Sequence, residues 1–374
     1  MGNLFRLNSL FELDLQFFPE IFNPPKIIKN KSYSLEYLFY CITNLDDYLF
    51  FSEIPDFDFL EYLSSRLGKR ANPVLKKNQV KFHNLIEWGS FHSLKKNGEI
   101  SVDYDKVKSS KILNSKLNQN DYLIRPKNFL STSIKSFKEK LNHLNHLDFP
   151  YLFKPEYGLS GFGHKIIQNE ETLNLFFNDN QIKNGVLQSF KKRFIDFSVL
   201  VDCKESEIEF LTLTKMNISN RNSYLSSTIY KNSKFKNLEN EFSKIIFENI
   251  IHTSIFSIKS FMYSLNIKYE GPSSIDGFIY EEGGIEYICI SEINFRFTMG
   301  RILFELSNIF NDFDEHILIT ESLKSASYKN TQDFLNIFKN KYSKILNSFS
   351  NVILLTPISF KNEYFSSCVV YVYH

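Results

Sequence analysis

Glycine is scarce in this chain, with 13 among 374 residues, and alanine occurs only at Ala71 and Ala326. The four cysteines, Cys41, Cys203, Cys289 and Cys368, are scattered, with no CxxC and no close spacing. Cys203 and Cys289 lie within apolar, strand-like runs and read as reduced core residues. No apolar run approaches the length of a membrane span, so no membrane partner is expected. The N-terminal stretch MGNLFRLNSLFELDLQFF has Arg6 where a myristoylation signal wants Ser or Thr. It also carries acidic residues and lacks a small-residue cleavage site, so a cytoplasmic location is expected. Charge of one sign is lacking too: 44 basic and 42 acidic residues give a net +2. That balance, with no aromatic-basic motif, argues against a nucleic-acid partner. The chain leans towards Phe, Lys, Asn, Ile and Tyr, as AT-rich coding would impose, so runs such as KKRF read as solvated faces.

A length of 374 residues with 43% hydrophobic and 16% aromatic content suits a globular protein of two or three domains. Residues 1–112 read as an N-terminal α/β domain, with DDYLFFSEI (46–54) a buried strand and FDFLEYLSSRLG (57–68) a helix stopped at Gly68. STSIKSFKEKLNHLNHL (131–147) reads as a helix with Ser/Thr at its start. From 149 the pattern changes to short strands, YLFKP, HKIIQ, VLQSF and FSVLVD, interrupted by a helix around EETLNLFFNDNQI. EIEFLTLTKM (207–216) is expected to pair back on 197–202, and a long amphipathic helix covers about 238–265. IDGFIYEEGGIEYICISEINF reads as two strands around the turn Glu282-Gly283-Gly284. A helix near Gly300 follows, and NVILLTP and CVVYVYH read as closing strands. The expected boundaries are 1–112, 113–205 and 206–374.

Two distant segments carry chemistry. In FPYLFKPEYGLSGFGHKII, Lys154 ends a strand just before Gly158, Ser160, Gly161 and Gly163. Backbone N–H groups of such a turn can cradle phosphate oxygens beside a lysine charge. A flexible hairpin beside a lysine would look the same. In ISEINFRFTMG, Glu292, Asn294 and Arg296 fall at strand spacing on one face, with Ile293, Phe295 and Phe297 on the other. A carboxylate and an amide oxygen are hard ligands suited to Mg²⁺, and an Arg on the same face can clamp a phosphate. Asp276, 16 residues earlier, opens the partner strand and offers a second carboxylate. An ordinary half-exposed strand also alternates in this way. His164, at the end of the glycine turn, reads as strand surface, His143 and His146 as structural, and Trp88 as core packing.

In this order the segments resemble the ATP-grasp superfamily: LFKPEYGLSGFG, VLQSF, IDFSVLVD, IDGFIY and ISEINFR follow its pattern over roughly residues 110–310. EWGSF (87–91) followed by NSK (114–116) is similar to a bacterial branch of that superfamily. The resemblance implies an α/β (α+β) fold, with two α+β subdomains sandwiching ATP behind a Rossmann-like N-terminal domain. It implies that Lys116 and Lys154 meet the nucleotide phosphates and that Gly158, Ser160, Gly161 and Gly163 form a flap over them. Gln188, Ser189 and Phe190 would form the hinge read by the adenine edge, and Asp196 would bind the ribose hydroxyls. Asp276, Glu292 and Asn294 would hold Mg²⁺, two ions in this family, with Mn²⁺ an alternative. Arg296 and Lys154 would act on the transferred phosphoryl group. Gln188 stands where Glu is common, and Phe295 where Pro is frequent. The implied activity is an ATP-dependent carboxylate–amine or carboxylate–thiol ligase acting through an acylphosphate on small-molecule or peptide substrates, as a homodimer in many relatives. A kinase acting on a hydroxyl and a non-catalytic nucleotide binder are the alternatives. Arg193, Arg221 and Arg301 are candidates for holding a substrate carboxylate.

Overall fold

A computed structural model describes residues 2–20, 23–70, 72–75, 82–95, 99–134, 149–158, 163–178, 184–205, 207–219, 224–231, 235–323, 328, 330–343, 351–360, 363–365 and 367–374. The N-terminal layer is a parallel sheet of β1 (Leu4–Arg6), β2 (Tyr48–Phe51), β3 (Asn72–Leu75) and β4 (Leu85–Glu87), ordered β3-β2-β1-β4. Helices α1 (Phe11–Phe17), α2 (Lys26–Leu35) and α3 (Phe57–Leu67) connect it. The sequence specifies α3 at both ends. Asp56 accepts the Phe59 N–H at 3.1 Å as N-cap, and Gly68, at φ +63°, takes the left-handed turn that stops it. Between them Phe59, Leu60, Leu63 and Leu67 recur at helical spacing and are buried. A short hairpin, β5 (His92–Leu94) and β6 (Ile100–Val102), leads into α4 (Tyr104–Asn114) and α5 (Lys116–Gln119).

A small antiparallel sheet follows, ordered β7-β10-β8-β9 from β7 (Ser131–Ile134), β8 (Tyr151–Pro155), β9 (Lys165–Ile167) and β10 (Gly185–Ser189), with α6 (Glu170–Asn178) packed on it. The expected helix over 131–147 therefore begins as strand. Ser131 to Ile134 pair with Gly185 to Gln188, and the Ser131 hydroxyl donates to Asn120 Oδ1 at 2.6 Å. Hydroxyl and β-branched side chains fit that pleated edge better than a helix start. The rest of that stretch, with His143 and His146, lies outside the described residues.

The large sheet is antiparallel throughout and eight-stranded, ordered β15-β14-β11-β12-β13-β16-β20-β17. It comprises β11 (Arg193–Cys203), β12 (Ile208–Ile218), β13 (Tyr224–Tyr230), β14 (Gly271–Glu282), β15 (Ile285–Asn294), β16 (Glu315–Ser322), β17 (Asn351–Leu354) and β20 (Ser367–Tyr373). β18 (Ser359–Phe360) and β19 (Glu363–Tyr364) form a separate ribbon. Helix α7 (Phe235–Leu265) packs Phe247, Ile250, Ile258 and Phe261 onto Phe197, Val199, Ile275, Ile293 and Phe295. α8 (Met299–Ile309) and α9 (Thr331–Lys341) lie with the closing strands, whose core is shared with the N-terminal layer: Phe39, Trp88, Phe297, Leu303, Leu354 and Tyr371 belong to one cluster. Trp88 is thus a core residue. The change of sheet falls between Ser189 and Arg193, whereas the sequence-derived boundary at 205/206 separates β11 from its hydrogen-bonded neighbour β12. All four cysteines are free and buried.

Candidate functional site

The β14–β15 hairpin builds the acidic side of a cleft. Gly283 and Gly284, at φ +63° and +78°, make its turn, and a one-residue register shift between Asp276 and Gly277 then sets Asp276 opposite Glu292 and Ser274 opposite Asn294. Ser198 donates to Asp276 Oδ1 at 2.6 Å, and Asn294 Nδ2 donates to Asp276 Oδ2 at 2.8 Å and to Ser274 Oγ at 3.3 Å. No donor among the described residues reaches Asn294 Oδ1, which is left for a cation. Burial, reinforced by the Glu292 charge, pushes the Asp276 carboxyl up to about 6. Burial acts on Glu292 in the same direction, but Lys116 and Lys154 outweigh it and hold Glu292 down at about 2. Two half-buried carboxylates in register, with an amide oxygen beside them, form a hard-oxygen donor set that fits Mg²⁺. Among the described residues no group of three His, Cys, Asp or Glu forms a metal cage, so further ligands would come from substrate phosphates and water.

The opposite wall is basic. Lys154 lies on β8 between Phe153 and Pro155, and pleating puts Phe153 in the small-sheet core and Lys154 in the cleft. Its Nζ donates to Ser291 Oγ at 2.6 Å. Burial, aided by Arg193, Lys116 and Arg125, pushes its pKa down to about 8, although Glu292 works against this. Lys116, at the start of α5, reaches Glu292 Oε2 at 3.4 Å. The half-buried His164, expected on a strand surface, instead faces this cluster, and its Nδ1 is buried without a hydrogen bond among the described residues. Burial and then the Lys154 charge lower it to about 3, so the imidazole is neutral. Arg296 pairs through Nε with Glu12 of α1, and its Nη1 donates to the Phe297 carbonyl at 3.0 Å.

Gln188 is buried in β10 and donates to Ser131 Oγ at 3.2 Å. The Ser189 and Phe190 N–H groups donate to the Leu130 and Pro150 carbonyls, both at 2.9 Å, so neither amide is left to read an adenine edge. Asp196 pairs with Arg193 Nη1 at 3.1 Å, and burial raises its carboxyl despite that charge. Arg193 also lies over the Phe278 ring, 4.1 Å from its centre. Of the glycine turn, Gly158 and Gly163 are described, and Gly163 adopts the left-handed φ of +80°. Ser160 and Gly161 lie outside the described residues, as does Arg221. Arg301 is engaged by Asp202 through both Nη atoms and by Glu305 at 2.7 Å, which removes it as a substrate clamp.

Sequence reasoning missed the supports. Gln119, Asn114 and Arg125 bind the backbone of β15, with Asn114 Oδ1 accepting from Phe295 N at 3.0 Å and Arg125 Nε donating to Ile290 O at 3.2 Å. In sequence they are single polar residues near the ends of short helices or in a loop, which is too common to single out.

Comparison with solved structures identifies the architecture. Campylobacter jejuni biotin carboxylase in complex with β-γ-ATP aligns with a TM-score of 0.53 over 91% of this chain and 85% of that one, at 10% identity. N5-carboxyaminoimidazole synthetase from Staphylococcus aureus aligns at 0.52 over 100% and 93%, at 11% identity. The chain has the ATP-grasp fold. L-amino acid ligase from Bacillus licheniformis aligns at 0.50 over 100% and 94%, at 10% identity. No protein-family model matches the sequence, and no curated protein is similar to it. The acidic hairpin and the Lys154 strand meet through Lys154 and Ser291 in this fold.

Proposed function

We propose that this protein is an ATP-dependent carboxylate–amine ligase. The observation that carries the proposal is the convergence of Lys154 and Lys116 from one side and the in-register Asp276–Glu292 pair from the other. Neighbouring folds that include an L-amino acid ligase and an ATP-bound biotin carboxylase support the same class of chemistry. ATP lies in the cleft, its phosphates against Lys154 and Lys116 beneath the Gly158–Gly163 turn, and its ribose near Asp196. With the Ser189 and Phe190 amides occupied, the adenine edge is read by hinge carbonyls beside the buried Gln188. Asp276, Glu292 and Asn294 would hold Mg²⁺, with Mn²⁺ an alternative in the same oxygen set, and the bound metal would supply charge neutralisation for the polyphosphate.

A substrate carboxylate oxygen attacks the γ-phosphorus, and the bond from that phosphorus to the β–γ bridging oxygen breaks, giving an acylphosphate and ADP. Lys154 and Arg296 hold the transferring oxygens, and preorganised charge in a dry cleft is where such stabilisation is strongest. An amine (or, in the carboxylate–thiol variant, a thiol) then attacks the acyl carbon, loses its proton and displaces phosphate. No side chain of the protein becomes covalently attached. The substrates are a small-molecule or peptide carboxylate and an amine, with a homodimer as the working state and the cytoplasm as the compartment.

Hydroxylamine tests the reading, because it captures an acylphosphate as a hydroxamate without the natural amine. A panel of amino acids and other carboxylates, incubated with ATP, Mg²⁺ and hydroxylamine, is expected to include one that gives hydroxamate in wild type and not in Lys154→Met. A stable phosphoester product with no hydroxamate would overturn the ligase in favour of a kinase.

A further inference from the structure

Glu12 comes from the N-terminal layer, one turn into α1, and it is the acidic partner of Arg296 in the cleft. It is 5% exposed, and both its oxygens are buried without a hydrogen bond among the described residues. Among the described residues its polar partner is Arg296 Nε, held by charge rather than by aligned hydrogen bonding. A buried ion pair is costly to keep, and replacement of both partners by apolar residues is often neutral or stabilising. Such a pair therefore calls for a role besides stability.

The geometry of the guanidinium supplies one. The Glu12 carboxylate lies against Nε as an ion pair, and one of the five N–H donors of Arg296, on Nη1, goes to the Phe297 carbonyl. Nη2 makes no hydrogen bond among the described residues and is available to an anion. Arg296 also acts electrostatically on both Asp276 and Glu292, which places its charge beside the acidic hairpin. Glu12 and the Phe297 carbonyl thus hold the guanidinium of an otherwise flexible side chain in place.

We infer that Glu12 is a positioning residue for the phosphoryl site, acting through Arg296, so that the N-terminal layer completes the cleft in which the γ-phosphate lies. The inference rests on the nucleotide reading above. It makes a prediction that a simple clamp between domains does not: Glu12 matters for a nucleotide that carries a γ-phosphate and not for one that lacks it.

Calorimetry on the full chain with Mg²⁺ measures the affinities for ADP and for the imido analogue of ATP. Glu12→Gln is expected to lower the preference for the analogue over ADP by about tenfold, the worth of one charge-assisted hydrogen bond, while ADP affinity holds. Arg296→Lys is expected to do the same, and the double variant no more than either. If Glu12→Gln does not fold, Glu12→Asp, which keeps the charge but withdraws it by one methylene, is measured in its place. An unchanged preference, or an equal loss for both nucleotides, in the Glu12 variant alone overturns the positioning role and leaves the nucleotide site standing. An unchanged preference in Arg296→Lys overturns the site assignment as well.

Discussion

Gln119 and Ile293 are 174 positions apart and share two hydrogen bonds: Gln119 Nε2 donates to the Ile293 carbonyl at 2.7 Å, and Gln119 Oε1 accepts the Ile293 N–H at 2.9 Å. β15 is the edge strand of the large sheet, so its outward backbone groups have no ladder partner. The Gln119 amide closes both groups on the residue between Glu292 and Asn294, and so fixes the two side chains that face the cleft.

Gln119→Leu leaves a buried N–H and a buried C=O without partners. The expected cost is at least about 2 kcal/mol of unfolding free energy. Chemical denaturation of both proteins measures it, and an indistinguishable midpoint and slope would mean that water replaces the amide.

Gly185 is the second structural test, because a Cβ there would lie 2.3 Å from the Lys154 carbonyl oxygen and 2.4 Å from Phe153 Cζ. The carbonyl is held in the ladder between β8 and β10 and cannot move aside cheaply. Gly185→Ala is expected to lose about 1–3 kcal/mol of stability, as for overpacking of a core. It should also weaken nucleotide binding by shifting Lys154. A melting temperature equal to wild type would contradict this.

Much of this arrangement was legible in the sequence, and what was not has a common cause. The α3 helix, the Gly283-Gly284 hairpin, the pairing of β12 on β11 and the Glu292-x-Asn294-x-Arg296 face all follow from local periodicity and turn chemistry. Lys154 was legible as the residue that ends an apolar strand just before the glycine-rich turn. The Ser131–Ile134 strand was not, because its identity depends on β10, more than 50 residues away. The occupation of Arg301 by Asp202, the grip of Gln119 on Ile293 and the pairing of Glu12 with Arg296 are likewise long-range choices of partner, which no spacing rule encodes. The inward turn of His164 belongs with them.

Glu36 provides a test of pH dependence away from the cleft. Burial pushes its carboxyl up to about 7, although Ser52 donates to it through both Oγ, at 2.6 Å, and the backbone N–H, at 3.0 Å. The folded state therefore binds a proton that the unfolded chain has released between about pH 4.5 and 7. This contribution is fully present below the unfolded value and is lost as pH rises through about 7, at most about 3 kcal/mol. Glu36→Gln, permanently neutral, is expected to gain in melting temperature relative to wild type between pH 5 and pH 8. A difference that stays constant over that range would rule out the raised carboxyl.

The metal assignment predicts that Glu292→Gln and Asn294→Ala each abolish turnover while retaining the fold. Adenine and ribose contacts lie elsewhere, so nucleotide affinity without added metal should change little, and the enhancement by Mg²⁺ should vanish. ADP release with a competent carboxylate and calorimetry with and without Mg²⁺ report the two effects. Wild-type rates in either variant would remove that residue from the metal set.

The central claim is that a magnesium nucleotide lies between the Lys154 strand and the Asp276–Glu292 hairpin, and calorimetric titration of Mg²⁺–ADP into wild type and Lys154→Met tests it most directly. Lys154 is a buried, depressed cation, and an apolar side chain of similar length should leave the melting temperature equal or higher. The account predicts saturable binding to wild type and an affinity lower by about tenfold or more in Lys154→Met. Absence of binding to wild type, or equal affinity in the two proteins, would contradict it.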